Sequence, residues 1–206
     1  VNAEIGMTFA AALRSILRQD PNVILIGEIR DSETAQIAVR SAITGHLVLS
    51  TIHTNNTLAT VERLLDMNVE RYLLSTALTG IISQRLAKKI CTKCRIERDT
   101  TDFEKMIFKK YLHKDIDKIW DANHEGCDAC RKGYKGRIAI QEVLELNDEL
   151  RSDLNNENIS KEELSKLVYN DKIITMLQDA LGKVVDGTTS FEEVLRVIEI
   201  EDAEDF

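Results

Sequence analysis

Val23-Ile24-Leu25-Ile26-Gly27-Glu28-Ile29-Arg30-Asp31, followed after twelve residues by Thr44-Gly45-His46-Leu47-Val48-Leu49-Ser50-Thr51-Ile52-His53-Thr54-Asn55, holds two short branched apolar runs that each end in polar side chains. Such runs have the composition of buried strands, and the groups that follow them suit phosphate and metal chemistry. Between them, Glu33 to Ala42 has helical composition, with Asp31 and Ser32 as N-cap candidates and Gly45 as a C-terminal stop. Strand, helix, strand is a βαβ unit: its strands are parallel, its crossover is right-handed, and both carboxyl ends open on the sheet edge where ligands bind. Glu28 and His53 are thereby expected to converge on one crevice.

The flanking segments fit this scheme. Thr8 to Asp20 reads as a helix on which Arg14 and Arg18, four apart, share a face. Arg30 and Arg40 add to a local excess of guanidinium groups suited to phosphate or to a subunit interface, Arg30 foremost because it follows Glu28 so closely. Asn56 or Thr57 caps a helix from Leu58 to about Asp66, and His46 stands at the start of its strand, farther from the crevice than His53. Arg71 to Lys88 reads as one long amphipathic helix with Leu74, Ala77, Leu78, Ile81, Ile82 and Leu86 as its buried stripe.

A chain of 206 residues, 43% hydrophobic, suffices for one good-sized core and a small appended domain. Its apolar runs are a handful of residues long, short of the roughly 18 to 20 that span a bilayer, and no signal-peptide pattern opens it, so a cytoplasmic location is expected. A formal net charge of -8 argues against a nucleic-acid footprint over the whole surface. The acidic stretch from Glu199 to Asp205 reads as a solvated tail.

Cys91-Thr92-Lys93-Cys94 and Cys127-Asp128-Ala129-Cys130 form two Cys-x-x-Cys pairs separated by thirty-two residues. Two such pairs complete a closed tetrahedral thiolate site for a structural zinc. The separation exceeds the usual ribbon range of about 15 to 20, which implies a folded excursion with a short helix near Phe103 to Leu112. Lys88, Lys89, Lys93, Arg95, Arg131 and Lys132 flank the pairs and favour thiolate over thiol. Disulfides and free thiols are the competing accounts, and His113 and His124 are alternative ligands.

Downstream, Ile138 to Leu144 reads as a strand after a turn at Gly133 and Gly136. Beyond Leu146 the composition is helical, with Ser160/Glu163 and Ser190/Glu193 spaced as capping boxes. Helices near Lys161 to Asn170, Ile173 to Val185 and Phe191 to Ile198 are expected to form a small bundle that docks on a neighbouring subunit or partner.

Together with Thr8-Phe9-Ala10, Leu13-Arg14 and Leu17 to Pro21, the opening stretch resembles the Walker B and histidine-box region of the type II secretion and type IV pilus ATPases. The resemblance runs on through Ser83-Gln84-Arg85-Leu86, the cysteine pairs, Gly133 to Arg137, Thr175-Met176 and Gly187 to Glu193, with Ala180 departing from a common glycine. It implies an α/β fold: a partial RecA-like P-loop ATPase domain over residues 1–90, a tetracysteine zinc subdomain over 91–137, and a strand with a C-terminal helical subdomain over 138–206. It implies that Glu28 orients or polarises the attacking water, with His53 as a γ-phosphate sensor and Arg30 as a further catalytic group. Gly27 and Thr51 border the nucleotide, Gly27 standing where many P-loop enzymes place a magnesium-binding Asp. Implied too are ATP and magnesium, a homo-hexameric ring, and an inner-membrane platform with cytoplasmic docking proteins that hold the motor at the membrane. The tetracysteine element resembles that of assembly motors and points to extension rather than retraction.

No Gly-x-x-x-x-Gly-Lys-Ser/Thr occurs: Gly182-Lys183 is followed by Val184 and has Leu177 where the first glycine belongs. That loop supplies most of the grip on phosphate and magnesium, so the chain is expected to be the carboxyl-terminal part of a larger ATPase. Alone it is expected to be inactive and a monomer or weak dimer. The alternative reading is a zinc-stabilised, non-catalytic module that binds protein or nucleic acid.

Overall fold

The computed structural model describes residues 6–169 and 173–199. The chain forms two compact units, Val1–Ile82 with Val143–Ile173, and Ser83–Glu142 with Ile174–Phe206.

In the first unit α1 (Phe9–Leu17) starts where the Thr8 hydroxyl accepts from the Ala11 N–H. It stops short of the expected Asp20: Arg18 is the C-cap, Asp20 takes a positive φ of 52°, and Pro21 follows, a position that disfavours helical backbone before it. β1 (Val23–Ile26) and β2 (Leu47–Ser50) are parallel, Val23 beside Leu47 through Ile26 beside Ser50. Between them α2 (Ser32–Ile43) is capped by Asp31, whose carboxylate accepts from the Thr34 N–H at 2.8 Å, and Gly45 turns the chain at φ 104°. The βαβ unit is thus formed as its caps and composition require. Ile24 and Ile26 turn one face of β1 into a small core with Leu13 and Ala38, whereas Val23, Leu25, Leu47 and Leu49 are exposed on the pair.

α3 (Thr57–Asp66) is capped by Asn56, one of its two expected caps. The long helix expected from Arg71 to Lys88 is not formed. α4 (Arg71–Ala77) ends with Leu78 in extended backbone, and β3 (Gly80–Ile90) follows, paired with β6 (Tyr134–Glu145). Ile81, Ser83 and Ala87 are buried while Ile82 and Leu86 are exposed, which is strand alternation. The apolar spacing satisfied both periods, and pairing with β6 together with the β-branched Ile81-Ile82 decides for the strand. Gly80 admits the close approach, since a Cβ there would lie 3.3 Å from the Leu144 carbonyl. α6 (Asp148–Asn155), which the composition did not single out, and α7 (Lys161–Val168) complete this unit. α7 opens with the expected Ser160/Glu163 capping box, and its expected end at Asn170 lies outside the described residues. Leu74, Ile81, Leu144, Leu150, Leu164 and Val168 share its main core.

In the second unit β4 (Ile96–Asp99) pairs antiparallel with β5 (Lys118–Asp121), and α5 (Asp102–Leu112) lies between them in sequence, at the expected place. α8 (Met176–Val185) begins later than expected because Thr175 and Gln178 form a capping box there. Before α9 (Phe191–Val197), Ser190 caps through the Glu193 N–H, but the Glu193 carboxylate accepts from the Lys88 backbone N–H at 2.8 Å instead of closing the box. Phe108, Ile119, Ile140, Leu181, Val184 and Val194 form the core. The expected single bundle is accordingly not built: α6 and α7 bury their apolar faces in the first unit's core, α8 and α9 in the second's. Of the acidic stretch from Glu199, all but that first residue lies outside the described residues.

A buried ion cluster braces the β4–β5 pair. Arg98 donates to Glu104 at 2.6 and 2.8 Å and to Asp121 at 2.8 Å, with the Glu104 side chain 5% exposed. Burial raises the Glu104 pKa, but the Arg98 guanidinium and the Thr101 N–H outweigh it and hold the carboxyl below its usual range. A depressed carboxyl contributes stability above its unfolded pKa, about 4.3, and loses that contribution as pH falls through the lowered folded value. Glu104→Gln is therefore expected to cost the second unit about 2 to 4 kcal/mol at pH 7, discounted for the part-exposed arginine. In urea titrations the gap between wild type and variant should narrow steadily below about pH 4. A gap independent of pH would refute the role of the charge.

Candidate functional site

Two loops leave the parallel strands side by side. The Thr51 hydroxyl donates to the Gly27 carbonyl at 2.6 Å, and the Ile29 N–H donates to the Thr51 carbonyl at 2.9 Å. These bonds bring Gly27, Glu28 and Arg30 from the first loop to Thr51 and His53 from the second. One Glu28 oxygen accepts from Arg30 Nη2 at 2.5 Å, and the other lies 3.1 Å from His53 Nε2. The hydrogen bond from Arg30 leads the causes that hold the Glu28 carboxyl below its usual pKa. Glu28 does not cap the next helix, because Asp31 does.

The other sequence candidates lie apart from this cluster. His46 Nδ1 is 2.9 Å from the Ser41 carbonyl, in the turn before β2. Arg14 is engaged by Glu33 at 2.5 Å. Arg18 caps α1 and Arg40 lies in the last turn of α2, and neither is a partner of Glu28.

The second candidate site is the tetracysteine cluster. Each pair is folded into a tight turn, with the Arg95 N–H on the Cys91 carbonyl at 3.0 Å and the Cys130 N–H on the Cys127 carbonyl at 3.2 Å. The Cys91 N–H in turn reaches the Gly133 carbonyl at 2.8 Å, linking the first turn to the segment after the second. Gly133 is required where it stands: its φ is 79°, and a Cβ would lie 2.5 Å from the Asn123 carbonyl oxygen. Sγ separations are 3.8 Å for Cys91–Cys127 and 3.6 Å for both Cys94–Cys130 and Cys127–Cys130, all four ligand atoms lying within 4.8 Å of one another. Thiolates at about 2.3 Å from a tetrahedral zinc stand about 3.8 Å apart, so the four sulfurs fit that ion. The four sulfurs are not linked to one another. The Lys93 backbone N–H lowers the Cys91 thiol to about 7, while burial pushes Cys94 up to about 12.

The alternative ligands are placed elsewhere. His113 is the left-handed C-cap of α5, and His124 Nε2 lies 3.3 Å from a Glu192 oxygen. Among the flanking cations, Lys93 pairs with Asp128 at 3.3 Å and Lys88 with Glu193 at 3.5 Å. Arg95 stacks 4.1 Å over the Trp120 ring and donates to the Gly187 carbonyl at 3.2 Å. The Ile90 N–H bonds Thr188 and the Thr189 hydroxyl bonds Lys88, so the first cysteine turn is tied to the loop between α8 and α9. Gly187 takes φ 67°, and any Cβ would lie 2.5 Å from the Trp120 ring. The Gly187-Thr188-Thr189 run was visible in the sequence, but its partners are about a hundred residues away and leave no local signal.

The family described as "Type II/IV secretion system protein" matches residues 1–196. The putative type II secretion system protein E of Escherichia coli is 45% identical over 198 residues, 96% of this chain and 39% of that protein. The type IV pilus assembly ATPase PilB of Myxococcus xanthus is 42% identical over 193 residues, 93% of this chain and 34% of its own length. The chain thus spans well under half of these relatives. Among solved structures, the pilus retraction motor PilT with bound ADP aligns with a TM-score of 0.63 at 28% identity, over 97% of this chain and 46% of that one. The ATPase DotB of Legionella pneumophila, at 23% identity and a TM-score of 0.65 over 92% of this chain and 42% of its own, shares the fold.

Proposed function

We propose, from the premise that this chain belongs to the type II/IV secretion system protein family, that it is one part of a ring-forming ATPase that powers protein secretion or pilus assembly. The observation that carries this reading is the convergence of Glu28 and His53, 3.1 Å apart, at the carboxyl ends of two parallel strands. There Glu28 takes the role of the group that orients the attacking water, and His53 and Arg30 answer the γ-phosphate. Gly27 offers no carboxylate, so magnesium in the complete site is held mainly by groups outside this chain, with the phosphate-binding loop. A zinc-stabilised binding module with no catalysis would leave the Glu28–His53 contact without a purpose.

Zinc on Cys91, Cys94, Cys127 and Cys130 is structural in this proposal, because four protein thiolates leave no open position for water. The tetracysteine element favours an assembly motor over a retraction motor. Hexameric rings, a platform protein in the inner membrane, cytoplasmic docking proteins and a cytoplasmic location at the membrane's inner face complete the proposal. Among the described residues no helix is long and apolar enough to cross a membrane.

The test compares this chain alone with the full-length protein carrying a phosphate-binding loop. ATP hydrolysis is expected only in the longer protein, and tight ATP binding likewise. Robust hydrolysis by residues 1–206 alone, abolished in Glu28→Gln, would overturn the division of labour.

A further inference from the structure

We propose that Arg30 is a positioning residue that holds Glu28 in check, keeping one carboxylate oxygen engaged until a substrate phosphate draws the guanidinium away. This inference rests on the reading of Glu28 as the group that handles the attacking water.

The pair is built into the backbone. Glu28 and Arg30 bracket Ile29, whose N–H is pinned to Thr51 and whose side chain packs against the first unit's cores, and Asp31 is fixed immediately afterwards as the cap of α2. One Glu28 oxygen accepts from Arg30 and the other faces His53, so a water that approaches the carboxylate competes with both partners for its remaining lone pairs. On α1 and at the start of α2, Arg14 is engaged by Glu33 and Asp31 by Thr34, and among the described residues Arg30 and His53 are the groups that bear on the Glu28 carboxylate.

Exposure leaves both partners free to move, and the charge of a phosphate selects Arg30. The Glu28 side chain is 22% exposed, whereas Arg30 is 68% and His53 88% exposed. In the Arg98–Glu104 pair the carboxylate is 5% exposed, whereas the solvated Arg30 head is held by an interaction that water and salt weaken. A terminal phosphate offers that guanidinium more charge than one carboxylate and a matching bidentate geometry, so the exchange runs toward phosphate. The freed Glu28 oxygen then takes a proton from water as the water oxygen bonds to the γ-phosphorus. The bond from phosphorus to the ADP oxygen breaks, and the electron pair leaves with ADP. Loss of Arg30 also removes the leading cause of the low Glu28 pKa, so the carboxylate becomes a better base when the substrate is in place.

The experiment is the pH dependence of steady-state ATP hydrolysis by the full-length protein as wild type, Arg30→Ala, Arg30→Lys and Glu28→Gln. The acid limb of kcat/KM reports the free enzyme and that of kcat the bound enzyme. In wild type the kcat limb is expected at higher pH than the kcat/KM limb. In Arg30→Ala the two limbs should coincide and KM should rise about tenfold or more, the loss of a charge-assisted contact. Arg30→Lys should restore part of the separation. Coincident limbs in wild type, or a separation that survives Arg30→Ala, would overturn the check on Glu28 while leaving its catalytic role standing. Full turnover in Glu28→Gln would remove that role, and the proposal with it.

Discussion

Glu28→Gln in the full-length protein is expected to lower ATP turnover by about 10² to 10⁴ at pH 7 while changing ATP affinity no more than a few-fold. Glutamine keeps the shape, with its amide oxygen able to accept from Arg30 and its amide N–H able to donate to a neutral His53 Nε2, so the loop laced by Thr51 and Ile29 should stay in place. What it loses is the negative charge and the ability to take a proton from water. Both matter more in the transition state than in the ground state, so the effect belongs in kcat rather than KM. A variant that lost affinity and turnover together would instead mark Glu28 as a structural support of the two loops. Unchanged melting of the first unit would show that the loss is chemical.

Removing the proposed zinc should have the other large effect. Structural zinc sites in small peptides carry roughly 10 to 16 kcal/mol of apparent binding energy at pH 7, and in those peptides nothing else holds the fold. Here Phe108, Ile140, Leu181 and Val184 form a core of their own, so metal removal is expected to cost the second unit several kcal/mol rather than all of its structure. For a unit of about 100 residues that is a fall in Tm on the order of 15 to 30 °C. The amide hydrogens of Ile90 and Cys91 should exchange faster, since they donate to Thr188 and Gly133 around the cysteine turn, while those of α2 and α3 in the first unit should not. Cys127→Ser should reproduce the effect, and acid should mimic it by protonating thiolates. Identical masses under native and denaturing conditions, together with a Tm indifferent to chelator, would dismiss the zinc.

The βαβ unit was legible because its signals are local: branched runs, an Asp cap and a glycine stop all lie within the segment they define. The cysteine pairs were legible because ligand spacing is itself the signal. β3 was not, since Leu74 to Leu86 satisfies a helical stripe and strand alternation at once, and only a partner more than fifty residues later decides between them. α6 left a signal that was passed over: Asn147 stands as the cap and Leu150 and Leu154 are four apart. The Arg98–Asp121 contact and the Arg95–Trp120–Gly187 stack join groups distant in sequence, where no periodicity operates. At the strand ends, the convergence of Glu28 and His53 followed from the parallel strands, and the structure adds Arg30 on the other carboxylate oxygen.

The exposed side of the β1–β2 pair bears on how the chain behaves in a tube. Parallel sheets are normally covered on both faces, yet here Leu25 is 74% exposed, with Val23, Leu47 and Leu49 beside it. A net charge of -8 keeps molecules apart at low ionic strength, and salt screens that repulsion without hiding the leucines. Preparations of residues 1–206 should therefore stay clear in dilute buffer and turn cloudy as sulfate is added, at concentrations that Leu25→Lys raises.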